Sequence, residues 1–231
     1  HECRGGGKMA VFNGIAEQYD QWYTSPMGSF ADRVETELAF RLFEPKKGMK
    51  VLDVGCGTGN YSIKLAKLGC RVTGADISDK MLVIARDKAK KEGVAVEFVD
   101  MDAYHLDFED ESFDGVICMT AIEFIKRPNE ALEEFFRVVR KGGRVLVGTI
   151  TRDSAWGAMY MSEEYRQDSV FKHATLRTLD ELKGIRSEGF VRGGECLFIP
   201  PCAKEEDIGM EKENELSKTE RGGFACALWI K

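Results

Sequence analysis

The chain has 231 residues, 43% of them hydrophobic and 31% charged, enough to bury one large core and to make a single domain the expectation. A net charge of −6 withholds the global basic field that attracts nucleic acid, and no apolar stretch reaches bilayer-spanning length, so nucleic acid and membrane partners are disfavoured. Seven cysteines form an odd set without a CxxC pair; that points away from a disulfide framework or a zinc knuckle, so no metal is expected, and toward a reducing cytoplasm.

The first eight residues, HECRGGGK, are Gly-rich, precede Met9 and are expected to be an added remnant or a disordered end. Beyond them, apolar runs of strand length alternate with stretches of helical period, the pattern of a parallel sheet covered by helices. MKVLDV predicts the first strand, followed by a helix over Tyr61 to Leu68 that stops at Gly69. CRVTGA predicts the second, and the helix after it runs from Asp79 to Glu92, with Ser78 as N-cap and Gly93 as its stop. VAVEFV and FDGVICM predict the third and fourth strands. A helix starting at Pro128 shows Leu132, Phe135 and Val139 on one face and is expected to stop at Gly142 and Gly143. GRVLVGTI predicts the fifth strand, and like GVICM it is nearly continuously apolar, as a strand buried on both faces should be. Thr151 to Thr175 is rich in Trp, Tyr, Met and charge without a clear strand, and TLDELKGIRSEGF predicts a helix capped by Thr178. A strand is expected around Cys196 to Ile199, broken by Pro200 and Pro201; a charged, solvated segment from Lys204 to Arg221 and a final strand, GFACALWIK, complete the chain.

One stretch carries chemistry. LDVGCGTGN, Leu52 to Asn60, places Gly55, Gly57 and Gly59 between a strand and a helix N-terminus, where absent Cβ atoms let a ligand approach the main chain and free N–H groups can meet an anionic group. A tight turn that needs glycine only for packing is the bland alternative. Asp53 ends the strand before the loop, Asp76 ends the next, and Asp102 follows the third, so all three converge on the carboxyl edge of a parallel sheet, where open α/β folds bind ligands. A dinucleotide fingerprint needs GxGxxG; Asn60 stands where its last glycine would be.

The segments VLDVGCGTGNYSIKLAKLGCRVTGADISDKMLVIAR, VDMDAYHLDFEDESFDGVI and NEALEEFFRVVRKGGRVLV resemble, in order and spacing, the class I S-adenosylmethionine-dependent methyltransferases, in particular the small-molecule group that includes the ubiquinone and menaquinone C-methyltransferases. FNGIAEQYDQWY is similar to the leader helix of that group. The resemblance implies a doubly wound, Rossmann-like α/β sheet of seven strands in the order 3-2-1-4-5-7-6 with the last strand antiparallel. It also implies one methyltransferase domain over residues 9–231, with leader helices over 9–44 and a lid-like insertion over 151–175. S-adenosylmethionine would be the cofactor and S-adenosylhomocysteine its product. Gly55, Gly57 and Gly59 would approach the methionyl part and ribose, Asp53 would hold the amino end, and Asp76 would accept both ribose hydroxyls. Ile77 would flank adenine, Asp102 and the Ala103 backbone would read its amino edge, and Tyr19 would lie across the cofactor, with Met119 also among the cofactor-contacting positions. Asp107 replaces the family's usual proline, and the His that some relatives carry near Glu123 or Phe124 is absent, so that residue's acid or base role does not carry over from the resemblance.

A sulfonium makes its methyl group electrophilic enough for in-line displacement, so positioning and water exclusion can supply most of the catalysis. The expected acceptor is a small molecule, with Tyr23, Glu123, Trp156, Tyr160 and Tyr165 as candidate contacts. Glu123 and His173 are the candidate catalytic groups; each also reads as an ordinary structural side chain. The aromatics of the insertion read as a lid or as its own core, Cys56 as a small packed residue, and His105 as solvent-facing in an acidic loop. Two other functions stay open on these residues: a protein of the same fold that binds the cofactor as a sensor or assembly factor, and a nicotinamide oxidoreductase, which the missing glycine disfavours.

Overall fold

The computed structural model describes residues 20–167 and 169–231. Tyr19 and the first part of the leader lie outside the described residues.

Seven strands form one sheet: β1 (Lys50–Val54), β2 (Arg71–Asp76), β3 (Val96–Asp100), β4 (Phe113–Met119), β5 (Val139–Ile150), β6 (Phe190–Cys196) and β7 (Phe224–Ile230), in the order β3-β2-β1-β4-β5-β7-β6. The first five are parallel, and β7 runs antiparallel between β5 and β6. Helices α1 (Pro26–Phe43), α2 (Asn60–Lys67), α3 (Asp79–Lys91) and α4 (Pro128–Val138) are followed by the short α5 (Ala155–Met161), α6 (Glu163–Gln167), α7 (Leu179–Gly184) and α8 (Met210–Leu216). Sheet order and strand directions agree with the expectation.

Local chemistry sets the helix starts. The side chains of Ser25, Ser78, Ser154 and Thr178 each accept an N–H of the first turn of α1, α3, α5 and α7, and Pro26 and Pro128 occupy first-turn positions of α1 and α4, where no N–H is missed. Helix α1 lays Ala31, Val34, Leu38, Leu42 and Phe43 into a core with Ile117, Leu146, Cys226 and Leu228 of the sheet, while Leu132, Phe135 and Val138 of α4 pack against Val116, Val145 and Trp229.

Three expectations need correction. Helix α4 stops at Val138, not at Gly142, because Val139 turns to an extended conformation and pairs with Phe113, so the glycines fall inside an irregular start of β5. The strand expected at Cys196 to Ile199 is instead β6, which ends at Cys196. Leu197 takes a left-handed φ of 62°, and the N–H groups of Leu197, Phe198 and Ile199 all donate to the carboxylate of Glu213. That buried Glu213 sits on α8, so the charged segment from Lys204 is not solvated throughout. The insertion after β5 is helical, made of α5, α6 and a single 3₁₀ turn over Val170–His173.

Candidate functional site

The loop after β1 is held against β2. Gly55 and Cys56 both donate to the Ala75 carbonyl, at 2.7 and 3.0 Å. Gly57 then donates to Asp76 Oδ2 at 2.8 Å, and Ser78 donates to Asp76 Oδ1 at 2.9 Å, so the carboxylate that ends β2 also fixes the loop beside it. Gly57 and Gly59 both need the left-handed region, with φ of 56° and 84°, but for different ends. A Cβ on Gly57 would meet only Met81 Sδ, at 4.0 Å, and otherwise open space; one on Gly59 would strike Phe98 Cζ at 2.9 Å and Ala85 Cβ at 3.1 Å. Gly57 is therefore a cradle position, whereas Gly59 serves the packing of α2 on α3 and β3. The leader residue Asp20 ties down the same loop: it accepts from Thr58 Oγ1 at 2.7 Å and pairs with Lys88, which also donates to Asn60.

A narrow cleft of about 110 Å³ opens over this loop. Asp53, Gly55, Gly57, Asp76, Met119 and Tyr23 line it together. Gly59, Ile77, Asp102 and Ala103 lie outside its lining; Ile77 and Ala103 are buried, and Asp102 Oδ1 accepts from the Tyr104 N–H at 2.9 Å. Cys56 lines the cleft with its thiol raised well above the ordinary range by burial and by the nearby Asp76 and Asp53, which suits a packed residue and not a nucleophile. Tyr61, Met81 and Thr120 also line the cleft and were not legible beforehand.

Asp53 is 2% exposed, and burial pushes its carboxyl up to about 7, against the opposing hydrogen bond from Ser62 Oγ at 2.7 Å. Among the described residues no basic side chain lines the cleft. Two buried carboxylates facing a slot without a cation, beside two methionines and a glycine whose missing Cβ leaves room, fit a ligand carrying positive charge close to hydroxyl donors. S-adenosylmethionine, with its sulfonium, ammonium and ribose, meets that description.

A second, wider cavity of about 810 Å³ adjoins the first and shares Tyr23, Thr120, Val170 and Phe171 with it. Tyr160 and Tyr165 line this cavity from the insertion, and Trp22 from the leader. Trp156 also lines it but is only 4% exposed, and its Nε1–H donates to the Ile199 carbonyl at 2.8 Å, so it is at least as much a pillar of the core as a wall. Glu35 of α1 lines the cavity too; burial pushes its carboxyl up to about 8, with Asp32 adding to the rise and Lys64 opposing it. The sequence held a faint signal for this residue: Glu35 sits on the helix stripe of Ala31, Leu38, Ala39 and Leu42, where an apolar side chain would be ordinary.

Neither catalytic candidate lines either cavity. Glu123 is 1% exposed, on a 3₁₀ turn after β4. Its Oε2 accepts from the Ile150 N–H at 3.4 Å, while Oε1 is buried with no hydrogen bond from any described residue. Burial raises its carboxyl to about 7. His173 ends the 3₁₀ turn of the insertion. Among the described residues no cluster of His, Cys, Asp and Glu could hold a metal ion, and no helix is long and apolar enough to cross a membrane.

The sheet order, the antiparallel β7 and a glycine loop facing acidic strand ends define a Rossmann-like α/β protein that takes its ligand at the carboxyl edge of the sheet. A methyltransferase-domain profile matches residues 52–147. An uncharacterized protein of Methanocaldococcus jannaschii is 36% identical over 163 residues, covering 71% of each chain. The demethylmenaquinone methyltransferase of Clavibacter sepedonicus is 33% identical over 62% of this chain and 57% of its own length, so this chain spans little more than half of that enzyme. A crystal structure of an S-adenosylmethionine-dependent methyltransferase from Thermotoga maritima, described as a possible histamine N-methyltransferase, superposes with a TM-score of 0.73 at 25% identity, over 97% of this chain and 99% of that one. The chain belongs to the class I S-adenosylmethionine-dependent methyltransferases, and S-adenosylmethionine is its cofactor.

Proposed function

We propose that the protein transfers the methyl group of S-adenosylmethionine to a small-molecule acceptor by in-line displacement. The observation that carries the reading is the common wall: the cleft with Asp53, Gly57 and Asp76 and the aromatic cavity share Tyr23, Thr120, Val170 and Phe171, so ligands in the two spaces would meet there. In this reading Asp53 and Asp76 hold the cofactor's cationic and hydroxyl groups, Gly57 admits it to the main chain, and Met119 packs beside it. Ile77, Asp102 and Ala103 take the adenine side, and the contact that the resemblance implies for Tyr19 concerns a residue outside the described ones. The bound cofactor supplies a methyl group already activated by its sulfonium. The chain then has to orient the acceptor and exclude water, and Tyr23, Tyr160, Tyr165 and Trp156, which line the wider cavity, support that part of the reading. Glu123 and His173 stand as supports of the β4 edge and the insertion, not as groups touching the acceptor. The six described cysteines are all free thiols, which supports a reducing, cytoplasmic setting.

Release of S-adenosylhomocysteine, measured across thiols, amines, phenols, quinols and carboxylates, tests the reading. Release that depends on one acceptor class supports it. Calorimetric binding of S-adenosylmethionine without release on any acceptor would replace it with a cofactor-binding sensor or assembly protein.

A further inference from the structure

The names of the relatives diverge on the acceptor, a demethylmenaquinone in one and a histamine in another. The aromatic cavity narrows the choice. Its rings form a continuous wall: Trp22 meets Trp156 edge-on with centroids 6.2 Å apart, Tyr160 stacks on Phe171 at 4.2 Å, and Tyr165 meets Tyr160 edge-on at 5.1 Å. Glu35 enters from α1 and Glu164 from α6, and among the described residues no Lys, Arg or His lines the space. No hydrogen bond or ion pair to another described residue holds the Glu35 carboxylate, although it is half-buried.

Each class of acceptor meets a different energy in such a space. A carboxylate or phosphate would add like charge to Glu164 and to Asp76 in the adjoining cleft, and would keep Glu35 and Asp53 from ionising. A neutral phenol or quinol can donate its O–H to Glu35 but brings no positive charge to it, so it recovers less of the cost of desolvating that carboxyl than a cation does. An ammonium group gains on both counts, from the ring faces, which attract cations, and from a charge-assisted hydrogen bond to the carboxylate.

Resting on the methyl transfer proposed above, we propose that the acceptor is an amine, bound as its ammonium ion within the ring wall, and that Glu35 is the residue that selects it and takes its proton. The nitrogen gives one proton to the Glu35 carboxylate. Its freed lone pair forms the N–CH₃ bond as the S–CH₃ bond breaks, the bonding pair stays on sulfur as a neutral thioether, and the product leaves as the methylated ammonium. Glu35 then returns its proton to solvent. With its carboxyl held near 8 by burial, Glu35 is largely protonated at neutral pH in the empty cavity, gives that proton to solvent as the ammonium docks beside it, and as a desolvated carboxylate is a stronger proton acceptor than an exposed glutamate.

The test uses phenethylamine, 2-phenylethanol and 3-phenylpropanoate, which share a ring and differ in charge, each titrated calorimetrically into the protein saturated with S-adenosylhomocysteine. Phenethylamine should bind about tenfold or more tighter than the alcohol, and the carboxylate should not bind, as expected for a charge-assisted contact. Glu35→Gln should abolish that advantage without changing affinity for S-adenosylhomocysteine, and Glu35→Asp, which keeps the charge, should retain part of it. Absence of an amine advantage in the unaltered protein, or its survival in Glu35→Gln, overturns the proposal. The two readings separate in the S-adenosylhomocysteine release assay. Release on phenols, thiols or quinols but not amines removes the amine inference and keeps methyl transfer. An amine advantage that Glu35→Gln abolishes, with no release on any acceptor, keeps amine recognition by Glu35 and removes methyl transfer and the proton step with it.

Discussion

Replacing Glu123 with Gln should stabilise the ligand-free protein by about 3 kcal/mol at pH 8 and by less than about 1 kcal/mol at pH 5. The carboxyl is 1% exposed, one of its oxygens has no hydrogen bond from any described residue, and burial raises it from 4.5 to about 7. Below pH 4.5 it is protonated in both folded and unfolded chains. Between 4.5 and about 7 the unfolded chain releases the proton while the folded one keeps it, so stability falls as pH rises through this window, by about 1.4 kcal/mol per pH unit. Above pH 7 the full penalty, on the order of 3 kcal/mol, is in place. Gln resembles the protonated form in shape and never ionises, so it escapes the penalty. For a chain of this size, 3 kcal/mol corresponds to a rise in melting temperature of roughly 6 to 12 °C. Differential scanning calorimetry of both proteins at pH 5 and pH 8 measures it directly. Melting temperatures that stay the same distance apart at the two pH values would refute the reasoning, because Glu123 would then not titrate between them.

The remaining predictions concern the loop, the wall and the cleft. Gly57→Val adds a side chain where only Met81 Sδ lies nearby, at the cost of about 1 to 2 kcal/mol for its left-handed φ; it should fold and lose S-adenosylmethionine binding by calorimetry. Gly59→Ala, which drives a Cβ into Phe98, should instead lower the melting temperature. Trp156→Ala removes a buried ring and its hydrogen bond to Ile199, so its main effect should be a stability loss of about 3 to 5 kcal/mol in urea unfolding. Tyr160→Ala, at a less buried position, should weaken acceptor more than cofactor binding in paired titrations. Because burial holds Asp53 near 7, affinity for cationic S-adenosylmethionine should rise about tenfold from pH 6 to pH 8, following the ionised fraction of that carboxyl, and Asp53→Asn should flatten the dependence.

Much of the fold was legible in the sequence because its signals are local. Apolar runs such as GRVLVGTI mark strands buried on both faces, and Ser78, Pro128 and Thr178 announce helix starts through side chains that act within one turn. The glycine loop and the acidic ends of β1 and β2 were legible for the same reason: each stands beside the strand that positions it. The end of α4 was not, because Val139 leaves the helix to pair with Phe113, a partner distant in sequence. The same holds for the strand misplaced at Cys196 to Ile199, where Glu213 from α8 takes the N–H groups a strand neighbour would have used.

By itself, then, the sequence determined the alternation of strands and helices, the glycine loop and the carboxylates at the strand ends, since all of these are dictated by chain neighbours. Only the tertiary structure decided that Gly57 faces a cleft while Gly59 faces Phe98, that Glu123 is sealed away, and that Glu35 of the leader helix stands in a cavity walled by rings from the insertion. The physical reason is that burial, and with it the charge a carboxyl can carry, belongs to the packing of segments far apart along the chain.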